Sequence, residues 1–354
     1  MAHYRPKRES RGQGGIGTLA EWNASRVLSM LSILAVTFPF FALVLCGYLA
    51  ARRQLLPLAA IPGLNSFVLF FALPALLFQL AARTPLQQLL DGVLLACYLL
   101  VAAVLVTLAV AIARRQGRNW NDAAMGALVA VFPNSGFMGV PLLVALLGEA
   151  AGGPIILLVA ADMVVTSSIC IALSRLDGAE GSGLQAMRQA LGKALRGVLG
   201  NPMAWAILLG AGFTAQQWVL PEVLDKTVGL LANAATPVAL FTIGAVLARA
   251  NMAPQSGQHA DTGWRDPAGI AAIKLLLHPL LVFVACVLAR QAGLPLSDLA
   301  MQVLVMAAAL PSASNVSLLA ERLGADNTRV ARVILLSTLA SFVSFALVTQ
   351  WMRP

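Results

Sequence analysis

The sequence predicts an all-α polytopic membrane protein of ten transmembrane helices, arranged as two inverted five-helix repeats with broken crossing helices. Three observations lead there: an apolar composition, ten apolar runs of spanning length, and landmark residues that recur in order in both halves. Of 354 residues, 59% are hydrophobic and 11% charged, which leaves too little polar surface for a water-exposed exterior. The runs are continuous and not alternating, so they read as helices and exclude a membrane β-barrel.

A bilayer core of ~30 Å needs about 20 apolar residues of helix. The runs at 27–51, 64–82, 91–113, 122–147, 154–174, 201–220, 227–249, 267–290, 297–322 and 330–351 meet that requirement. The chain therefore divides into a polar tail (1–26), a first five-helix repeat (27–174), a cytoplasmic linker (175–200) and a second, inverted repeat (201–351). Basic residues set the direction. Arg52, Arg53, Arg114, Arg115, Arg118, Arg175, Arg188, Lys193, Arg196, Arg249, Arg265, Arg322, Arg329 and Arg332 fall on one side, fourteen in all. The other side carries nine, five of them in the tail (Arg5, Lys7, Arg8, Arg11, Arg26). Positive connections stay cytoplasmic, so the expected location is a cytoplasmic (inner) membrane with both termini periplasmic. The tail is Gly/Arg-rich, lacks a signal-peptide core and is expected to be disordered, and Met30 directly before the apolar run is an alternative start. Within the linker, Leu184, Met187, Leu191, Leu195 and Val198 share one helical face, as in an interfacial helix or an ordinary helical connection.

The repeat rests on matched landmarks. Pro74-Ala-Leu-Leu-Phe in span two corresponds to Pro237-Val-Ala-Leu-Phe in span seven, with Asn65 and Asn233 upstream. Span three ends Ala113-Arg-Arg-Gln-Gly and span eight Ala289-Arg-Gln-Ala-Gly, while Ala124-Met125, Pro133 and Gly148 in span four match Ala300-Met301, Pro311 and Gly324 in span nine. Five spans per half is an odd number, so the second copy inserts upside down, an architecture shared by many secondary transporters.

Spans four and nine carry the candidate site. Span four reads Phe132-Pro133-Asn134-Ser135-Gly136, and span nine reads Leu310-Pro311-Ser312-Ala313-Ser314-Asn315. Proline removes a backbone donor and clashes with the preceding turn, so each helix unwinds there. Freed backbone groups at mid-bilayer need partners, which Asn134, Ser135, Ser312, Ser314 and Asn315 could supply. Two half-helix N-termini meeting at the midplane would favour an anion. The competing reading has both prolines merely kinking packed helices.

Pro133-Asn134, followed by Met138-Gly139-Val140-Pro141-Leu142-Leu143, resembles the fourth-span signature of the auxin efflux carrier family. Leu64-Asn65-Ser66-Phe67 leading to Pro74, Ala239-Leu-Phe-Thr-Ile-Gly244, and Lys274-Leu-Leu-Leu-His278-Pro279 are similar to further family blocks, so the resemblance covers about residues 30–351. It implies a fold akin to bile-acid symporters, with a scaffold of spans 1, 2, 6 and 7 that forms dimers. A moving domain of spans 3–5 and 8–10 would hold substrate at the crossover of spans four and nine. The absence of a long cytoplasmic loop makes the chain more similar to the bacterial branch, which is associated with malonate, malate and similar carboxylates.

Asp162 and Lys274 are the two formal charges in the apolar centres, and such groups normally line a cavity or have partners. Their expected depths differ by about 8 Å, at 1.5 Å per residue, so a direct ion pair needs Lys274 to extend toward the midplane. They read as coupling or charge-compensating groups, together with His278. The alternatives are a hydrogen bond to Thr or Ser for Asp162, snorkelling for Lys274 and simple packing for His278. Dispersed cysteines and three histidines give no metal or cofactor site, the basic charge sits in connections and implies no nucleic acid, and no enzyme motif is present. The expectation is a secondary active transporter moving a small organic anion (a carboxylate, auxin-like or dicarboxylate) by alternating access, with proton or sodium coupling. The alternative is a cation/proton antiporter or symporter on a related fold, which would normally place carboxylates at the crossover. Partners beyond substrate and the lipid bilayer reduce to a homodimer.

Overall fold

A computed structural model of the chain describes residues 19–178, 192, 200, 202–252 and 263–352. The expected tail before residue 19 and almost all of the expected interfacial helix at 184–198 lie outside these residues. Every described element is helical: α1 (Leu19–Arg52), α2 (Leu58–Arg83), α3 (Gly92–Arg115), α4 (Trp120–Val131), α5 (Ser135–Leu147), α6 (Glu149–Ser174), α7 (Pro202–Ala215), α8 (Glu222–Met252), α9 (Arg265–Gln291), α10 (Asp298–Ala308), α11 (Asn315–Leu323) and α12 (Asn327–Met352). Seven helices among the described residues are long and apolar enough to cross a membrane, and α5, α7 and α10 are shorter apolar helices. The protein is a multi-pass membrane protein.

Helix boundaries follow local chemistry. Asp91, Asn119 and Ser297 cap α3, α4 and α10 by accepting from Leu94, Asp122 and Ala300 backbone amides. α1 starts ahead of the expected apolar run, because Leu19-Ala20-Glu21 are good helix formers. α7 ends at Ala215, short of the expected residue 220, where Gln217 takes a φ of 54° and Trp218 N–H returns to Phe213 O. Widened π turns at Val68–Ala72, Ser135–Gly139 and Ile273–Leu277 immediately precede helical segments carrying Pro74, Pro141 and Pro279 near their start. The wider turn gives the proline ring room against the preceding carbonyl, so these helices continue past their prolines.

Two groups of helices result. α1 packs along α8 and α2 along α7, while α3 packs along α4 and α9, and α9 along α10 and α12. α4 is buried from Asp122 to Val131 and α10 from Val303 to Ala308, as expected for helices that are apolar all round. α3 instead turns Leu100, Val104, Leu108 and Ile112 outward on one face, where the solvent is lipid.

α1 and α8 approach closely enough to require glycine. A Cβ on Gly47 would lie 1.9 Å from Phe241 O, and one on Gly244 would lie 1.8 Å from Val44 O. Backbone carbonyls cannot yield as side chains do, so Gly244→Ala is expected to lower stability by about 3 kcal/mol or more, through overpacking. Melting temperature in detergent checks this; a variant within about 0.5 kcal/mol of wild type would contradict the observed crossing.

At the end bearing the basic connections, one arginine departs from its expected role. Arg329 is 3% exposed, and its Nε and Nη2 fork onto Asp266 at 2.5 and 3.1 Å, while Nη1 donates to Asp122 O at 2.9 Å. Asp122 Oδ1 accepts from Asp326 N–H, and Asp326 accepts from Arg329 N–H. The sequence marks Arg329 only as a topological charge, whereas the fold uses it to join α4, α9 and α12.

Candidate functional site at the helix crossing

The two prolines meet. α4 ends at Val131, and Phe132, restrained by the following proline, is extended with ψ 102°. Pro133 and Ser312 then form an antiparallel bridge: Asn134 N–H donates to Pro311 O at 2.8 Å and Ala313 N–H donates to Phe132 O at 3.0 Å. Each break thus satisfies backbone groups freed by the other, which offsets the penalty of burying an unwound turn. Kinking of two packed helices does not describe this geometry, since both chains are extended and paired.

Ser312 serves the crossing itself. Its Oγ donates to Val129 O at 2.7 Å, satisfying a carbonyl in the last turn of α4, and its N–H donates to Ser337 Oγ at 3.1 Å. Ser337, from α12, is a buried participant that the sequence reading missed; its only signal was a polar residue within the apolar run 330–351.

A cavity of about 410 Å³ opens from the crossing. Pro133, Asn134, Ser135, Gly136 and Asn315 line it, whereas Pro311, Ser312 and Ser314 do not. Ser135 Oγ and Asn315 Oδ1 are buried polar atoms with no hydrogen-bond partner among the described residues. Ser135 and Asn315 also begin α5 and α11, so two helix N-termini face the same space, although Ser135 N–H is paired with Pro133 O, and Val316 and Ser317 N–H with Ala313 and Ser314 O. Asn134 O is taken up by Met138 and Gly139 N–H. Apolar walls come from Leu73, Phe132, Phe137 and Met163. The far end reaches Ile171, Gly200 and Arg322, beside the Arg-rich connections. Arg322, which the sequence counted as a topological charge, is exposed and is the only charged residue among the described lining.

The intramembrane charges lie behind this cavity and do not line it. Asp162 accepts from Tyr98 Oη at 2.8 Å and from Thr166 Oγ1 at 3.1 Å, and it is fully buried. Lys274, also fully buried, donates to Ala308 O at 2.9 Å and approaches His278 Nδ1 at 3.0 Å. Snorkelling is therefore not its conformation. An ammonium at the last residue of α10 meets the negative end of that half-helix and a carbonyl left unpaired by the break. With Lys274 as donor, Nδ1 accepts and the ring proton sits on Nε2, which has no partner among the described residues. No direct ion pair joins Asp162 and Lys274 among the described residues. The Tyr98 and His278 rings stand in contact instead, their centroids 6.0 Å apart. Tyr98 was not singled out by sequence, although a tyrosine within an apolar run normally has a buried hydroxyl partner.

Residues 32–349 match the model of a family described as membrane transport protein. A Rhizobium meliloti protein named "Putative malonate transporter" is 32% identical over 88% of this chain and 93% of its own length. A protein of Methanothermobacter thermautotrophicus named "Uncharacterized transporter" is 28% identical over 86% of this chain and 93% of its own. Auxin efflux carrier component 8 of Arabidopsis thaliana is 24% identical over 80% and 87% respectively. The family and these relatives are transporters and not enzymes.

Proposed function

The chain belongs to the membrane transport protein family, the auxin efflux carriers that its motifs resemble, and on that premise we propose that it moves a small organic anion across the cytoplasmic membrane by alternating access. The observation that carries this reading is the charge of the crossing cavity, whose described lining holds Arg322 and no carboxylate. A cation/proton antiporter normally needs acidic groups at such a point, so the alternative fits this cavity poorly. The N-termini of α5 and α11, with the side chains of Ser135, Asn134 and Asn315, form a donor set suited to a carboxylate. Apolar walls would receive a short carbon chain.

Ten spans in two inverted repeats underlie the mechanism. Seven long helices, with α5, α7 and α10 within three further segments, support that count. Two matched contacts support the inversion. Gly47 of α1 lies against Phe241 O of α8, and Gly210 of α7 lies against Phe78 O of α2, where a Cβ would come within 2.6 Å. Phe78 and Phe241 are the equivalent last residues of the Pro74 and Pro237 motifs. α1, α2, α7 and α8 then act as the scaffold, which is also the surface proposed for a homodimer. The remaining helices carry the cavity in an elevator-type movement. With the basic connections cytoplasmic and both termini periplasmic, the cavity opens inward.

Asp162, Lys274 and His278 act from behind the site. Lys274 holds Ala308 O and sets a positive charge close to the crossing. Coupling to a proton or sodium gradient is assigned to this network. The substrate class follows the name of the Rhizobium meliloti relative, and malonate is the first compound to test. Proteoliposomes containing the protein are expected to take up malonate faster than amino acids or inorganic cations, with the rate altered by a pH or sodium gradient. Asp162→Asn and Lys274→Ala are each expected to slow uptake by about tenfold or more, at about 1.4 kcal/mol per decade. No carboxylate flux above empty liposomes would overturn the substrate class. Unchanged rate and unchanged gradient dependence in both variants would overturn the role of the network.

A further inference from the structure

We infer that the protein carries a dedicated site for an anionic phospholipid on the membrane face between α3 and α6. A groove of about 590 Å³ runs there, separate from the crossing cavity and sharing no lining residue with it. Its walls are apolar, from Leu99, Ala102 and Val106 on α3 to Val165, Ile169 and Leu173 on α6. It follows α3 from Leu99 to Arg114, fifteen residues, or about 22 Å at 1.5 Å per residue. That exceeds the ~15 Å depth of one leaflet of a ~30 Å core, enough for one acyl chain. Its rim residues Ala103, Thr107 and Ala111 are exposed on the same lipid-facing side as Val104 and Leu108.

The polar end distinguishes this groove from a generic lipid furrow. Arg114 lines it, its guanidinium 4.8 Å above the centre of the Trp120 ring. Nη1 donates to Arg118 O at 2.6 Å, which fixes the side chain and leaves most of its five donors for a ligand. Arg115 is exposed one residue away, and Arg118 is partly buried four residues away. The described lining contains no carboxylate. Two acidic groups at this end already have partners: Asp177 accepts from Trp120 and Asn121 N–H, and Asp326 pairs with Arg118 at 4.0 Å. A fixed, stacked arginine at the interface end of an acyl-sized groove is the chemistry that recognises a lipid phosphate. Free phosphate would use the arginine but gain nothing from the groove. The floor includes Thr166, whose hydroxyl donates to Asp162, so the lipid lies one residue from the network behind the transport site.

The test adds phosphatidylglycerol, phosphatidylcholine or inorganic phosphate to delipidated protein in detergent, read by native mass spectrometry and melting temperature. Wild type is expected to bind phosphatidylglycerol roughly fivefold better than phosphatidylcholine, the scale of one basic residue at a membrane surface. Arg114→Gln is expected to abolish that preference, and Ala103→Trp, which fills the groove from its rim, to weaken binding of both lipids. Equal binding of the two lipids by wild type overturns the proposal, as does a preference unchanged in Arg114→Gln. Inorganic phosphate reproducing the phosphatidylglycerol effect, or undiminished lipid binding in Ala103→Trp, overturns it too.

Discussion

Arg329→Ala is expected to destabilise the protein by about 3–5 kcal/mol, the usual cost of removing one partner from a buried ion pair. The loss would not stop at one contact. Asp266 would keep its charge with its side chain 17% exposed, and Asp122 O would lose its donor inside the bundle. The shape around the guanidinium is equally specific. A Cβ on Gly126 would come within 2.5 Å of Nη1, so α4 is built to let this side chain pass. Arg329→Lys is expected to rescue little, because a single ammonium cannot reproduce the fork on Asp266 and the third bond to Asp122 O. The contrast is Lys226, which pairs with Glu222 at 2.5 Å but with side chains 72% and 79% exposed. Lys226→Ala should change stability by no more than about 0.5 kcal/mol. Thermal unfolding of the three variants in detergent distinguishes the cases; equal melting temperatures would contradict a structural role for Arg329.

Removing the two unpaired polar groups of the cavity is expected to have the largest effect on transport. Ser135→Ala with Asn315→Ala takes away a hydroxyl donor and a side-chain amide whose Nδ2 is the donor, each worth about 1.5–3 kcal/mol to a charged ligand. Malonate uptake in proteoliposomes should therefore fall by about 100-fold or more, while melting temperature stays near wild type, since neither group supports the fold. Ser312→Ala separates binding from architecture. Ser312 Oγ faces Val129 O and not the cavity, so its loss leaves a carbonyl unpaired and costs about 1–3 kcal/mol of stability. Wild-type uptake by the double variant would contradict the assignment of the cavity as the binding site.

The helices were legible because burial in lipid forces continuous apolar runs, and the breaks because proline has a fixed backbone cost. Pro133 and Pro311 could be read as equivalent landmarks, but their pairing across an antiparallel bridge could not, since nothing local encodes which backbone groups meet. The same limit explains Ser312, expected beside Asn315 in the site and found serving α4. Residues on either side of an unwound turn face different ways, and sequence spacing does not give the direction. Arg322 and Arg329 are both arginines at cytoplasmic-side connections by pattern. Only packing makes one the charge of the cavity and the other a buried staple. Lys274 and Asp162 stood out as costly groups, yet the rings of Tyr98 and His278 between them follow from how α3 meets α9.

The most direct test of the account is substrate protection at the cavity wall. Cys97, Cys170 and Cys286 are buried and Cys46 is exposed, so a Cys46→Ser background leaves little reactive thiol. Leu319→Cys in that background puts a thiol between the crossing and Arg322, on a residue that lines the cavity without serving as a donor. The account predicts that a maleimide labels this thiol from the side of the basic connections, and that malonate slows the labelling at concentrations that support uptake. Labelling that proceeds at the same rate with and without a transported carboxylate would contradict an anion site at the helix crossing.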